Sequence, residues 1–205
     1  MVRSFLLTLL ILVLFPFYSA LFISVHELGH VAVMRLLGDD NAWFYLVRVD
    51  QDRRCLGCTT SGPNEVSWAG DVAIKLGGLI ATQTVAVTAL LLLSLRPRRK
   101  WIVTMLSVIA LTYSFFDILA QVPQGLYHNL DRMQYETSVD LVDFMLLIQM
   151  KIDAGQYLLK GLLLGGAALY LFGVVWFYRR TRRTMEAAAP AQVLVPEGIQ
   201  VPTSK

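Results

Sequence analysis

Charged residues and cysteines are scarce in this chain of 205 residues. Charged residues make up 16% of it and apolar residues 56%, which excludes an ordinary soluble domain and predicts a single membrane domain over residues 1–185. The two cysteines are too few for a disulfide framework. Basic residues cluster beside apolar runs, where membrane topology signals lie, so nucleic acid is not an expected partner.

Four apolar runs are each long enough to cross a lipid bilayer, since about 20 apolar residues suffice for one span. The sequence therefore predicts an all-α membrane protein with four transmembrane helices. A β-prone stretch and turn-rich residues after the first span predict a short hairpin or irregular loop. Residues 138–150 predict an amphipathic helix before the last span, and residues 186–205 a disordered tail. The predicted spans are about 5–37, 72–95, 101–122 (ended by Pro123 and Gly125) and 157–178.

The basic residues also predict how the chain is oriented. Four of them lie in residues 96–100 and four more in residues 179–183. The segments 38–71 and 122–156 instead carry more acidic than basic residues. The positive-inside rule then predicts a multi-pass protein with both termini in the cytoplasm and both longer loops outside.

The stretch that carries chemistry is His-Glu-Leu-Gly-His at residues 26–30, inside the first apolar run. Imidazoles four residues apart share one face of a helix. In this pattern both histidines bind zinc and the glutamate acts as general base. Ionisable groups in an apolar helix are costly, which makes them functional candidates. The pattern therefore predicts His26 and His30 as zinc ligands, Glu27 as the base, and hydrolysis as the reaction.

A catalytic zinc usually has a third protein ligand. Apart from Glu27, Asp117 is the acidic residue that lies well inside a predicted span, at a depth similar to that of His30. A buried carboxylate needs a partner, so Asp117 is predicted as the third ligand. A hydrogen bond from Asp117 to a neighbouring helix is the competing interpretation. Three other candidates for the ligand stay open: His128, Asp131 and Asp140.

The two cysteines form a Cys-Leu-Gly-Cys step at residues 55–58. One such pair supplies two ligands, whereas a structural zinc site needs four. On the outer side of a membrane the pair is suited to a redox-labile or intermolecular disulfide. No catalytic role is expected for either cysteine.

The chain resembles the site-2 protease family of intramembrane zinc metalloproteases. The resemblance rests on residues 26–30, on residues 77–82 (Gly-Gly-Leu-Ile-Ala-Thr) as a degraded Gly-Pro-x-x-Asn element, and on Asp117 in a third core helix. It covers residues 5 to about 125, and its first motif is the specific one. It implies His26, His30 and Asp117 as zinc ligands and Glu27 as base. The implied target is a peptide bond in or near a transmembrane segment of a membrane protein substrate.

The chain also departs from that family. Leu79 and Thr82 replace the Pro and Asn of the second element, so a substrate-positioning amide is missing or has moved to Gln83. Thr82 and Gln83 are therefore the substrate-positioning candidates. The family's Asp-Gly step is absent, because Ile118 follows Asp117. The family's active site generally opens toward the cytosol, whereas the charge distribution here places the site toward the outside.

An intramembrane metalloprotease is the function that these residues predict first. The alternative is a non-catalytic membrane scaffold or accessory subunit descended from such a protease. A third interpretation, a metal transporter, requires more than one intramembrane ligand cluster. Assembly into an oligomer or a larger membrane complex stays open.

Overall fold

The computed structural model describes residues 2–49, 54–60, 66–97, 99–130 and 139–187. Within these ranges the chain forms five helices and one antiparallel two-stranded hairpin. The predicted helical architecture is confirmed at this level, including the hairpin after the first helix and a short helix before the last. The elements in chain order are α1 (Val2–Leu36), β1 (Trp43–Val49), β2 (Arg54–Thr60), α2 (Trp68–Ser94), α3 (Lys100–Tyr127), α4 (Asp140–Ile152) and α5 (Gln156–Ala187).

Four helices in the described ranges are long and apolar enough to cross a membrane. Two of them end later than the sequence predicts. Helix α3 continues through Pro123 to Tyr127, so the predicted end at residue 122 is wrong. Proline removes one backbone donor, and the last turn is still closed by the His128 N–H, which donates to the Gln124 carbonyl at 3.0 Å. Helix α5 continues through its arginines, which are good helix formers, to Ala187. The rest of the predicted tail lies outside the described residues.

Glycines set the distance between α1 and α2. A Cβ placed on Gly77 would lie 2.8 Å from the carbonyl oxygen of Gly29, and one on Gly29 would lie 2.7 Å from the Ala81 Cβ. Small residues at a helix crossing let two backbones approach closely. The crossing brings His30 of α1 against the backbone of α2.

Helix α4 is amphipathic, as predicted, and packs across the ends of the longer helices. Its apolar face joins the end of α3 and the start of α5 in one buried cluster. Asp140 and Asp143, three residues apart on a helix, share a different face and contact α1 and α2 respectively. The buried residues of the cluster are Leu130, Val142, Met145, Leu146 and Leu159.

The hairpin lies beside α1. Strands β1 and β2 pair from Trp43 opposite Thr60 to Val49 opposite Arg54. Cys58 on β2 is disulfide-bonded. Gly57 precedes it with φ +71°, a left-handed conformation that glycine adopts without strain. This residue is the point at which β2 approaches α1 closely.

Candidate metal centre

Three potential ligand atoms converge where α1 meets α4. His26 Nε2 lies 3.2 Å from His30 Nε2, and Asp140 Oδ2 lies 3.0 Å from the first and 3.1 Å from the second. Both histidines are buried and Asp140 is partly exposed. Ligand atoms around a tetrahedral zinc ion lie roughly 3.3 to 3.5 Å from one another. The triangle is therefore close to the size that such a cation requires.

The second nitrogen of each imidazole faces a hydrogen-bond acceptor. His30 Nδ1 lies 2.6 Å from the Ile74 carbonyl oxygen, and His26 Nδ1 lies 3.2 Å from Asp117 Oδ2. A carbonyl or carboxylate oxygen accepts, so in the neutral rings these contacts place the proton on Nδ1. The Nε2 lone pairs then point into the triangle. Histidines that bind metals are typically oriented by partners of this kind.

The triangle thus consists of acceptors. With both rings neutral, two Nε2 lone pairs and one carboxylate oxygen face each other, which is unfavourable unless a metal ion or a proton lies among them. Nitrogen and carboxylate donors in this number are a common zinc ligand set. The residues present therefore fit a zinc ion.

Gly78 lets the backbone of α2 approach both imidazoles closely. A Cβ on this residue of α2 would lie 2.5 Å from His30 Nε2 and 2.6 Å from His26 Cδ2. Both distances are shorter than van der Waals contact, so any other side chain would fill the position beside the two imidazoles. The backbone of α2 thus forms one wall of the candidate site.

Asp117 lies on the opposite side of the His26 ring from Asp140. It is buried, and it accepts hydrogen bonds from Thr82 Oγ1 at 2.5 Å and from Gln121 Nε2 at 2.8 Å. These contacts belong to a group that orients His26, and Asp117 as a metal ligand stays a prediction. Asp140, one of the open candidates, is the carboxylate that reaches both Nε2 atoms, because α4 packs against α2 and α3 beside the histidines.

The remaining ligand candidates do not join the triangle in the described part of the chain. His128 is partly exposed, and its Nδ1 lies 2.7 Å from the Gln124 carbonyl oxygen at the end of its own helix. Asp131 lies outside the described residues. The group within ligand distance is accordingly His26, His30 and Asp140.

Glu27 lines a cavity of about 190 Å³ that also reaches His26 and Asp140. The cavity lies between α1, α3, the start of α4 and β2. Apolar walls come from Phe22 and Ile23 among others, and Gln121 and Gln124 add amides. A molecule held in this cavity would touch Glu27 and the ligand triangle together, as a general base and a metal must act on one reaction.

Thr82 and Gln83 face away from the cavity, whose lining among the described residues includes neither. Thr82 is fully buried and donates to Asp117. Gln83 Nε2 donates to the Tyr113 carbonyl oxygen at 3.1 Å, and its amide oxygen accepts from the Tyr170 hydroxyl. Thr82 thus supports the histidine network, and Gln83 links α2 to α3 and α5. Their role in positioning a substrate stays a prediction.

The sequence carries a signal for how α4 packs that depth in the membrane does not capture. Lys75 lies inside a predicted span and requires an acidic partner, and an i, i+3 pair of aspartates on an otherwise apolar helix is suited to supply one. That pair is Asp140 and Asp143. By contrast, the Ile74 carbonyl carries no sequence signal, because any residue supplies one.

Replacing Gly57 with Ala is expected to destabilise the fold more than the same change at Gly38. A Cβ on Gly57 would lie 2.7 Å from Ile23 Cγ2 and 2.8 Å from Glu27 Oε1, whereas one on Gly38 (φ +97°) meets nothing within 4 Å. Both substitutions carry the left-handed strain of roughly 1–2 kcal/mol. Gly57→Ala adds an overpacking cost of about 1–3 kcal/mol. Unfolding free energies of the two purified variants measure the difference, and equal values would contradict the close contact of β2 with Glu27.

Comparison of the chain with protein families, with curated proteins and with solved structures finds no match. The features that bear on function are two oriented imidazoles, a carboxylate shared between them, a nearby glutamate and a glycine at which α2 approaches both imidazoles.

Proposed function

We propose that this chain is an integral membrane zinc metallopeptidase that hydrolyses a peptide bond in or near a transmembrane segment of a membrane protein substrate. One observation carries the proposal: His26 Nε2, His30 Nε2 and Asp140 Oδ2 lie within 3.2 Å of one another, and Glu27 lines the same cavity as His26 and Asp140. The proposal agrees with the resemblance of residues 26–30 to site-2 proteases.

In this proposal His26, His30 and Asp140 hold the metal. Zinc, when bound, supplies a Lewis acid that activates water and polarises a carbonyl group. Asp117 and the Ile74 carbonyl hold the two rings with their Nε2 atoms toward the ion. Asp140 supplies the negative charge that the two neutral imidazoles lack.

Glu27 is the general base. It lies next to His26 in sequence and lines the cavity together with it. Its carboxylate takes a proton from the attacking water and returns it to the amine that leaves. In this proposal a bound substrate displaces water from the cavity, whose apolar walls include Phe22 and Ile23, and this exclusion strengthens electrostatic interactions there.

The substrate in this proposal is an extended segment. A helix in lipid keeps its backbone hydrogen-bonded, so a scissile bond becomes accessible only where the helix unwinds. Strand β2 contacts Glu27 through Gly57, and an exposed strand can pair with an unwound segment through main-chain hydrogen bonds. The four apolar helices cross the bilayer with both termini in the cytoplasm, as the distribution of basic residues favours.

Replacing Glu27 with Gln is expected to lower the cleavage rate by about 10²- to 10⁴-fold, the usual contribution of a general base, while zinc content stays at the wild-type level. The amide keeps the size of the side chain but cannot accept the proton. The assay uses the full chain in vesicles with single-span reporter proteins whose spans contain helix-breaking Gly or Pro. Glu186→Gln, an exposed residue near the end of α5, is the control.

Each result separates two functions. Zinc binding together with cleavage that depends on Glu27 supports the peptidase. Zinc binding in a protein that cleaves none of these reporters supports the non-catalytic scaffold instead. A wild-type chain that binds no zinc overturns the metal site and the peptidase with it.

A further inference from the structure

A buried ion pair joins α4 to α2. Asp143 is completely buried, and its Oδ2 lies 2.7 Å from Lys75 Nζ. The lysine side chain is 23% exposed, so its ammonium group leaves most of its water to reach the carboxylate. Taking two charges out of water is costly, and such pairs often contribute little net stability. A function other than stability is therefore the better explanation for this pair.

The ion pair lies directly beside the candidate metal centre. Lys75 follows Ile74, whose carbonyl oxygen lies 2.6 Å from His30 Nδ1. Asp143 follows Asp140 by three residues, about one helical turn. The same two segments of α2 and α4 thus carry the ion pair and the groups that contact His30.

Two further polar contacts hold α4, one at its first turn and one near its middle. Gln121 Oε1 accepts from the Leu141 N–H at 3.2 Å, while its Nε2 donates to Asp117. Trp68 Nε1 donates to the Leu147 carbonyl oxygen at 3.0 Å. The Lys75–Asp143 pair lies between these two contacts. Apolar packing fixes how deep α4 lies, but a directed contact is needed to fix its rotation and its position along its axis.

We propose that Lys75 and Asp143 are positioning residues, which dock α4 on α2 in the one register that brings Asp140 within reach of both imidazoles. The inference rests on the proposed function, since it assigns a purpose to the position of Asp140 as the third metal ligand. Neither residue touches the metal or the substrate. A rotation of α4 by one residue would carry Asp140 about 100° around the helix axis and away from His26 and His30.

The test compares Lys75→Met, Asp143→Asn and the double variant, with Asp153→Asn as the control. Asp153 is an exposed residue at the end of α4 with φ +49°, a conformation that Asn tolerates. Zinc affinity of the full chain in detergent is measured by competition with a chelator. The absorption spectrum with Co²⁺ in place of zinc reports the ligand set. Hydrogen exchange over residues 140–152 in the metal-free protein reports the docking of α4.

Each single variant is expected to bind zinc about 10- to 100-fold more weakly, as loss of an outer partner does. The Co²⁺ spectrum should change and exchange in α4 should accelerate, whereas Asp153→Asn should match the wild type. The double variant should bind no more weakly than the weaker single variant, because the two residues act as one pair.

Unchanged zinc affinity and an unchanged Co²⁺ spectrum in both single variants would overturn the inference while leaving the proposed function intact. So would additive losses in the double variant. If the wild type binds no zinc, the proposed function fails and the positioning role fails with it. In that case hydrogen exchange over residues 140–152 still shows whether the ion pair docks α4, and exchange in the single variants that matches the wild type would overturn the docking role as well.

A single variant that does not fold is replaced by Lys75→Met/Asp143→Leu, which leaves no buried charge unpaired. Its Co²⁺ spectrum should still differ from that of the wild type, because an apolar pair supplies no directed contact, and a wild-type spectrum would overturn the inference.

Discussion

Replacing Asp140 with Asn should weaken zinc binding by more than about 100-fold, beyond what loss of an outer partner costs. The carboxylate oxygen lies 3.0 Å and 3.1 Å from the two Nε2 atoms. The amide keeps the size of the side chain but removes the negative charge that offsets the metal. It can also turn an N–H toward the imidazoles, where a donor competes with the cation. Competition with a chelating indicator, on the full chain in detergent, measures the affinity.

Asp117→Asn is the informative comparison, because the sequence alone favours Asp117 as the ligand. Its side chain contacts His26 through Nδ1 and accepts from Thr82 and Gln121. An Asn there can still accept from the Nδ1–H group, so we expect a smaller loss, at the lower end of about 10- to 100-fold. If Asp117→Asn instead removes the metal and Asp140→Asn retains it, Asp117 is the ligand, and α4 packs over the site without supplying one.

Replacing Gly78 with Ala is the second change expected to have a large effect. The added methyl group would lie 2.5 Å from His30 Nε2, so the ring or α2 must move. Overpacking of this kind costs about 1–3 kcal/mol of folding stability. The loss of zinc affinity should be more severe than the loss of stability, because the methyl group lies against His30 Nε2 and displaces a nitrogen that would bind the ion.

Gly161→Ala is the matched control for Gly78→Ala. A Cβ on Gly161 of α5 meets nothing within 4 Å, and alanine is the better helix former by about 1 kcal/mol. This variant should therefore bind zinc like the wild type and unfold no more easily. Thermal unfolding with and without zinc separates the two effects, since a metal that binds the folded state raises its stability. Wild-type zinc affinity in Gly78→Ala would show that the cation does not lie beside α2.

The helices, and the helix face that carries both histidines, could be predicted from the sequence because both follow from local periodicity. Apolar runs fix the long helices, and spacing by four places His26 and His30 together. The end of α3 could not be predicted in this way, because a proline near the end of a helix costs only one hydrogen bond and the helix continues past it. Local signals of this kind settle which elements exist better than where they end.

The third ligand was harder to predict because it depends on how α4 packs. Comparing the depths of residues in the membrane favours Asp117. Depth describes position along one axis, so it does not predict that a helix outside the four spans packs against the site. Asp140 reaches the site only because the apolar face of α4 joins Leu130 and Leu159 in one cluster. Gly78 likewise belongs to a motif that the sequence shows, but its close approach to both imidazoles follows from how α1 and α2 cross.

The separation of the ligands along the chain has a consequence for synthesis. His30 and Asp140 lie 110 residues apart, so a ribosome completes the first three long helices before the third donor emerges. A nascent chain at that stage carries both histidines, Glu27 and Asp117 but lacks Asp140, the carboxylate that lies within 3.1 Å of both Nε2 atoms. A chain that could cut neighbouring membrane segments would thus gain that ability only after α4 has left the ribosome and docked, late in its own insertion.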